Sequence, residues 1–159
     1  MATFSDRIYL DYNATAPART EVIALMGEIM AAVGNASSVH EPGRVARARV
    51  DKARRQVADL VGAPAKNVIF TGGGTEADNL ALRGFLPRHL IVSGVEHGAI
   101  LAPALLLDPG ATIVDVDDQG RLDIAALKAA LAASEGPALL SLMLANNETG
   151  VIQPLAEVS

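Results

Sequence analysis

The stretch TGGGTEADN at residues 71–79 contains three consecutive glycines, and it decides the predicted fold of this chain. An apolar run at 67–70 precedes it, and an apolar segment at 80–82 follows it. The order predicts a strand, a glycine turn and a helix. Glycine permits positive φ and lets a ligand approach the backbone without a Cβ in the way. We predict that Thr75 caps the helix and that Asp78 is its capping-box acid.

The start of this helix has the properties of an anion site. The first turn of a helix leaves backbone N–H groups without helical partners, and the helix dipole favours negative charge there. A phosphate is the most common occupant of such a site. A tight turn that binds nothing remains an alternative, because glycine turns are common between elements. The stretch is not a P-loop, because no Gly-Lys-Ser/Thr follows the glycines.

The composition excludes several classes of protein. With 159 residues, the chain is long enough for one domain with a substantial core. Its net charge of −5 gives no reason to expect nucleic acid as a partner. The absence of cysteine excludes disulfides and thiolate metal sites within these residues, and no metal site is predicted. No secretory signal or long apolar span is visible, so we expect a cytoplasmic protein without a membrane partner.

Apolar runs and helical periods alternate along the rest of the chain. Gly34 is predicted to end the first helix, and Asp123 to cap the helix at 124–133. The predicted strands cover 67–70, 89–93, 111–116 and 138–144, and the predicted helices cover 20–33, 44–61, 99–107 and 124–133, with one more from Pro154. This order predicts an α/β fold with a mostly parallel sheet and helices on both faces.

Three polar clusters follow predicted strands, where parallel α/β sheets bind their ligands. They are Gly74 with Thr75, Glu96 with His97, and the segment 146–148 with its paired asparagines. Each has a structural alternative. The histidine can be a satisfied structural residue, and the asparagines can form a turn that ends the strand. All three clusters follow predicted strands, and this agreement is stronger support for a ligand site than any one cluster alone.

At these clusters the chain resembles the cysteine desulfurases of the NifS/IscS type, in the class-V aminotransferase group of fold-type-I pyridoxal-phosphate enzymes. The matching segments are YLDYNAT at 9–15, GN at 34–35, FTGGGTEADN at 70–79, EH at 96–97 and NNETG at 146–150. They follow the family's order along nearly the whole chain. The resemblance implies that residues 1–159 are the N-terminal part of the large pyridoxal-phosphate-binding domain, without its remainder or the small C-terminal domain.

The resemblance also implies roles for individual residues. Gly74 and Thr75 resemble the pair that holds the phosphate of pyridoxal 5′-phosphate. His97 resembles the catalytic histidine that stacks on the pyridine ring and takes part in proton transfer. Asn147 resembles the asparagine near the phenolic oxygen of the cofactor and the substrate. Ala14 and Thr15 resemble the loop that borders the substrate pocket.

The family converts L-cysteine to L-alanine and an enzyme persulfide, whose sulfur passes to acceptors such as an iron–sulfur scaffold. Its sites lie at a homodimer interface. Family members are much longer, and their aldimine lysine and nucleophilic cysteine lie downstream of the asparagine segment. The lysines of this chain, Lys52, Lys66 and Lys128, are not placed for that role. The resemblance therefore implies a fragment that is inactive alone.

Two other interpretations stay open. A related class-V enzyme, such as a selenocysteine lyase or an aminotransferase, is one, although the Glu96-His97 pair favours desulfurases and lyases. A non-catalytic phosphate-binding module is the other. The family's usual Ser-Gly-Ala is Gly72-Gly73-Gly74 here, which keeps the backbone donors that a phosphate needs.

Overall fold

The computed structural model describes residues 8–84 and 89–158. The chain divides into two compact units, an N-terminal unit, Met1–Phe70, and a C-terminal unit, Thr71–Ser159. The described helices of the N-terminal unit are α1 (Thr20–Met30), α2 (Glu41–Val61) and a short 3-10 helix (Ala65–Asn67).

Helix α1 ends at Met30, three residues before the predicted end, and Gly34 does not cap it. A Cβ on Gly34 would lie 2.6 Å from the carbonyl oxygen of Pro42 and 3.1 Å from the Cβ of Ala46. The prediction for this glycine was wrong because the residue serves a close approach to α2. Its missing side chain, and not a left-handed backbone, explains the glycine.

Helix α2 begins at Glu41, three residues before the predicted start. His40 is its N-cap, and the ring Nδ1 accepts a hydrogen bond from the backbone nitrogen of Gly43 at 3.4 Å. Pro42 lies in the first turn, where its missing N–H costs nothing. The helix ends at Val61, as predicted, and Gly62 follows it in the left-handed conformation with φ of 66°.

The predicted strand at 67–70 is absent from the described residues. The 3-10 helix occupies its start, and residues 68–70 have no strand partner. The guanidinium of Arg54 donates to the carbonyl of Val68 and lies 5.2 Å from the ring centroid of Phe70. A strand needs a neighbouring strand for its backbone groups, and here a side chain of α2 bonds one of them.

The C-terminal unit consists of alternating helices and strands. In chain order these are α3 (Gly74–Gly84), β1 (His89–Ser93), α4 (Gly98–Leu107), β2 (Thr112–Val114), α5 (Ile124–Ala133), β3 (Ala138–Ser141) and α6 (Leu155–Val158). The sheet has the order β2-β1-β3, and both strand pairs are parallel. The predicted parallel α/β arrangement is confirmed.

Helices cover both faces of this sheet. On one face, Leu90 and Val92 of β1 pack with Leu82 of α3 and with Ile100 and Ala104 of α4. Burial on both faces explains why β1 is continuously apolar from Leu90 to Val92 and does not alternate.

On the other face, Ile91 and Val114 of the sheet pack with Leu122 and with Leu127 of α5. Asp123 caps α5, because its Oδ1 accepts hydrogen bonds from the backbone nitrogens of Ala125 and Ala126 at 2.8 and 3.0 Å. The predicted cap and the predicted bounds of this helix are confirmed.

Other boundaries differ by a few residues. β2 and β3 are shorter than predicted, because the chain beyond each forms an isolated antiparallel bridge, Val116 with Leu122 and Ala145 with Ile152. α4 starts at Gly98 and continues through Pro103, and α6 starts one residue after Pro154. Within 8–84 and 89–158, no helix is long and apolar enough to cross a bilayer.

Candidate functional site

The carboxyl ends of β1 and β3 lie at one edge of the sheet, because the two strands are parallel neighbours. β1 leads into the segment 94–97, and β3 leads into the segment 142–150. α3 packs against α4 in the same unit. The carboxylate of Asp78, in α3, is near enough to Glu96 to raise the pKa of its carboxyl. The glycine turn and the loops after β1 and β3 therefore all belong to the C-terminal unit.

The glycine turn leads directly into α3, whose first helical bond runs from the nitrogen of Ala77 to the carbonyl of Gly73 at 3.1 Å. Thr75 is consequently the second residue of the helix and not its cap, and the predicted capping pair was wrong. Glu76 is the acidic residue whose side chain bonds back to the backbone before the helix: its Oε2 accepts a hydrogen bond from the nitrogen of Gly72 at 2.6 Å. The helix begins earlier than predicted, so the capping acid is Glu76 instead of Asp78.

The three glycines of the turn do not use left-handed backbone. Among the described residues, positive φ occurs only at Gly62, Gly120 and Gly150. A Cβ on Gly73 or Gly74 would meet nothing within 4 Å. The run therefore leaves space outside the turn, in an open cleft of about 500 Å³ lined by Gly72, Gly73, Gly74, Thr75, Glu76 and Asn79.

His97 is the N-cap of α4, and its ring Nδ1 accepts a hydrogen bond from the nitrogen of Ala99 at 3.1 Å. In the neutral ring this bond assigns the proton to Nε2. The residue is exposed at the edge of the sheet. The structural alternative from the sequence therefore describes one ring nitrogen, Nδ1, while the residue as a whole remains exposed.

Glu96 is buried at the end of β1, with 9% of its surface exposed. Burial raises the pKa of its carboxyl, and the negative charge of Asp78 raises it further. The backbone N–H of Met143, the hydroxyl of Ser141 at 3.4 Å and the backbone N–H of His97 act in the opposite direction. This carboxyl joins the end of β1 to the end of β3.

The paired asparagines have different environments. Asn146 is buried, and its Nδ2 donates to the carbonyl of Val95 at 3.1 Å. Asn147 is exposed, and its Nδ2 donates to Oε1 of Glu148 at 3.0 Å. Sequence analysis included Asn146 and Glu96 in the polar clusters, but it assigned a role only to Asn147. The signals were present, as a doubled asparagine after one strand and an acid beside a histidine after another.

Gly74, Thr75, His97 and Asn147 all belong to the C-terminal unit, whereas Ala14 and Thr15 belong to the N-terminal unit. There the nitrogens of Ala14 and Thr15 donate to the carbonyl of Asp11 at 3.3 and 3.4 Å. They form an exposed turn whose Asp11 side chain also accepts from Ala14 at 3.4 Å.

The remaining ionisable side chains were compared with the needs of a metal site and of an aldimine lysine within residues 8–84 and 89–158. Among the described residues, no group of three His, Asp or Glu side chains is placed to hold a metal ion. Lys52 lies on α2, Lys66 in the 3-10 helix, and Lys128 on α5. α5 covers one face of the sheet, and α3 and α4 cover the other. Lys128 therefore lies on a helix on the opposite face from the glycine turn and α3.

Three comparisons identify the relatives of this chain. The IscS-like cysteine desulfurase of Mycobacterium tuberculosis is 41% identical over 95% of the chain, and the putative cysteine desulfurase IscS 1 of Bacillus subtilis is 40% identical over 96%. The NifS-like protein of Rickettsia africae superposes with a TM-score of 0.87 at 33% identity, over 95% of this chain and 43% of that one. The chain spans 42% of the length of these two curated relatives.

The family model for class-V aminotransferases matches residues 8–159. Class-V aminotransferases and cysteine desulfurases are pyridoxal-phosphate-dependent enzymes. The similar structures have the NifS-like transferase fold, in agreement with the parallel sheet and its two helical layers. The chain therefore belongs to the class-V aminotransferase family.

Proposed function

We propose that this chain forms the pyridoxal-phosphate-binding part of a cysteine desulfurase, which takes sulfur from L-cysteine and leaves L-alanine. The observation that carries the proposal is the arrangement of the glycine turn, His97 and the asparagine turn in one unit, at helix starts and strand ends. Similarity to cysteine desulfurases along 95% of the chain supports the substrate class. A cytoplasmic homodimer that delivers sulfur to an iron–sulfur scaffold protein is part of the same proposal.

The glycine turn suits the phosphate of the cofactor. The backbone N–H groups of Gly74 and Thr75 lie in the first turn of α3, where the helix supplies them with no carbonyl partner. The cleft in front of them is open, and no Cβ of residues 72–74 restricts the approach of phosphate oxygens. The helix dipole adds a favourable field for a dianion. When bound, pyridoxal phosphate supplies an electron sink, and the protein supplies position and electrostatics.

His97 suits a planar ring with a hydrogen-bonding periphery. Its Nδ1 is held by the nitrogen of Ala99, which fixes the plane of the imidazole at the start of α4. A fixed exposed imidazole can cover one face of a pyridine ring, and it holds a proton at Nε2. We propose His97 as the residue that stacks on the cofactor and moves a proton during the reaction.

The resemblance to the family suggests roles for Asn147, Ala14 and Thr15. The amide of Asn147 is exposed in the turn after β3, and we propose that it faces the phenolic oxygen of the cofactor and the substrate. Ala14 and Thr15 form an exposed turn of small residues in the N-terminal unit, which suits the border of a pocket for a small amino acid. Their role rests on the resemblance to the family.

Binding of pyridoxamine 5′-phosphate to the purified chain tests the proposal. This probe carries the phosphate and the ring but has no aldehyde, so it cannot react with the three lysines. We expect saturable quenching of its fluorescence, displacement by inorganic phosphate, and weaker binding of pyridoxamine, which lacks the phosphate. A chain that binds neither pyridoxamine 5′-phosphate nor inorganic phosphate would overturn the proposal.

Two matched histidine variants test the ring contact. His97→Asn keeps an N-cap acceptor but removes the imidazole, and we expect about a fivefold loss of affinity for the probe. His40→Asn makes the same change at the other N-cap histidine, in the N-terminal unit, and should leave the affinity unchanged. Equal effects of the two variants would contradict the assignment of the ring contact to His97.

The chain alone should not turn over L-cysteine. A persulfide needs a thiol to receive the sulfur, and these 159 residues contain no cysteine. We expect neither alanine nor sulfide above the buffer control when the chain is incubated with pyridoxal phosphate and L-cysteine. Turnover would show that the sulfur step does not require a cysteine of this polypeptide.

A further inference from the structure

Asn146 is a buried polar side chain whose hydrogen bonds all remain inside the protein. Only 9% of the residue is exposed. Its Oδ1 accepts from the backbone nitrogens of Glu148 and Thr149, both at 2.9 Å, and from the hydroxyl of Thr149 at 3.2 Å. These bonds close the turn that carries Asn147 at its exposed side.

The amide nitrogen of the same side chain connects this turn to the loop after β1. Nδ2 of Asn146 donates to the carbonyl of Val95 at 3.1 Å, and Val95 lies two residues before His97. One side chain therefore joins the segment that holds Asn147 to the segment that holds His97. The buried carboxyl of Glu96 makes a parallel connection through the hydroxyl of Ser141.

We propose that Asn146 is a positioning residue, which sets the separation between the imidazole of His97 and the amide of Asn147 so that one pyridine ring contacts both. The inference rests on the proposed function. Asn146 itself touches no ligand in this arrangement, because its donor and acceptor atoms are committed to Val95 and to the asparagine turn.

The chemistry of the side chain explains why asparagine suits this position. To close the asparagine turn and to bond the loop after β1, the side chain needs an acceptor directed at the turn and a donor directed at Val95. A short planar amide provides both. Aspartate keeps the acceptor for the turn but presents a second oxygen to the carbonyl of Val95, which repels it. Asn146→Asp therefore breaks the connection between the loops while it leaves the turn in place.

The glycine turn provides an internal reference for the experiment. It binds the phosphate through the first turn of α3, and no described hydrogen bond of Asn146 reaches that helix. Inorganic phosphate reports this subsite alone, whereas pyridoxamine 5′-phosphate reports the phosphate and ring subsites together. A change of ring position alters the second affinity and not the first.

The test compares both affinities in the full chain for the wild type, Asn146→Asp and Asn67→Asp. Asn67, in the 3-10 helix, provides the same chemical change in the N-terminal unit. We expect Asn146→Asp to lose about tenfold in affinity for pyridoxamine 5′-phosphate, because small misplacements of contact groups cost at least that much. Affinity for inorganic phosphate should change less than about twofold. Asn67→Asp should match the wild type.

The ring absorbance of the bound probe gives a second readout that a general loss of stability does not move. We expect the band of the bound form to shift toward that of the free probe in Asn146→Asp. Thr149→Val serves if Asn146→Asp folds poorly, because it removes one bond to Oδ1 and keeps the link to Val95. It should show a smaller loss, again confined to the ring subsite.

The outcomes separate the inference from the proposed function. A wild type that binds the probe, with an unchanged ratio of affinities in Asn146→Asp and in Thr149→Val, overturns the inference alone. An equal loss of both affinities also overturns it, because it shows a general role in folding. A wild type that binds the probe no better than inorganic phosphate overturns the proposed ring contacts and the inference with them.

Discussion

The carboxylate of Glu76 accepts a hydrogen bond from the backbone nitrogen of Gly72 at 2.6 Å and closes the glycine turn from the side of the helix. This places a negative charge beside the cleft that we propose for phosphate, and it uses one of the backbone donors of the turn. The hydrogen bond holds the turn against the first turn of α3, but the negative charge of the same carboxylate repels an anion that enters the cleft.

Glu76→Gln should therefore bind inorganic phosphate more tightly. The amide oxygen still accepts from Gly72, while the charge that repels phosphate is gone. A unit charge about 6 Å away in water corresponds to about a threefold gain in affinity. Phosphate titration followed by the amide resonances of Gly74 and Thr75 measures it. Glu135→Gln, outside the turn, is the control, and weaker phosphate binding by Glu76→Gln would contradict the prediction.

Glu96 should make stability depend on pH. Burial, followed by the charge of Asp78, raises the pKa of its carboxyl above the ordinary value of 4.5. Because the folded pKa is above the unfolded one, its stabilising contribution is complete below the unfolded pKa. That contribution is lost as pH rises through the folded pKa.

Glu96→Gln removes this titration, so the variant should gain stability relative to the wild type as pH rises from about 4 to about 7. Urea denaturation at a series of pH values measures the difference. Glu135→Gln, at an exposed position, should follow the wild type at every pH. Parallel curves for Glu96→Gln and the wild type would show that this carboxyl does not titrate as we expect.

Asp108 should act in the opposite direction. The backbone N–H of Leu90 donates to its Oδ2 at 2.9 Å and is the largest cause that lowers the pKa of this carboxyl. The backbone N–H of Gly110 and the ring of His89, whose Nδ1 lies 3.1 Å from Oδ2, lower it further. The stabilisation is present above the unfolded pKa and is lost as pH falls through the folded pKa.

Asp108→Asn should cost about 2 kcal/mol at neutral pH, since a hydrogen-bonded charge is replaced by a neutral amide. The difference from the wild type should shrink as the solution becomes acidic. Chemical denaturation at neutral and acidic pH checks this result. Asp118→Asn, in an exposed turn, should have little effect. A constant difference across pH would mean that packing, and not charge, accounts for the loss.

Two glycines of the N-terminal unit should respond oppositely to alanine. A Cβ on Gly43 would collide with the carbonyl oxygen of Ser38 and lie 2.7 Å from the Cβ of that residue. We expect Gly43→Ala to destabilise by about 3 kcal/mol, as overpacking does. Gly27, inside α1, has nothing within 4 Å, so Gly27→Ala should stabilise by about 0.5 to 1 kcal/mol. Thermal unfolding of both variants provides the measurement, and equal shifts would contradict the packing at Gly43.

The central strand of the sheet, β1, was predictable because it is buried on both faces. The continuous apolar run of β1 needs no knowledge of its neighbours, and Asp123 has a local reason to cap α5. The run at 67–70 looks the same in the sequence. It forms no strand because no described strand pairs with it. The carbonyl of Val68 instead accepts a hydrogen bond from Arg54, fourteen positions earlier, a contact that no local pattern predicts.

The candidate site was predictable in part. The glycine turn, His97 and Asn147 were selected from their positions after predicted strands and from the family resemblance. Glu76 was not recognised as the capping acid, because the choice depends on the residue at which the helix begins. Asn146 and Glu96 were placed in the polar clusters but received no role, because their hydrogen bonds to Val95 and Ser141 connect the loops after two different strands.

The sequence by itself determined the alternation of strands and helices, the apolar character of the sheet and the family to which the chain belongs. These properties depend on the local spacing of apolar residues and on short sequence motifs. The tertiary structure alone decided which polar side chains are committed to the protein and which remain exposed at the sheet edge. Hydrogen-bond partners such as Asn146 and Val95 are about fifty positions apart, and only the pairing of β1 with β3 brings them within 3.1 Å.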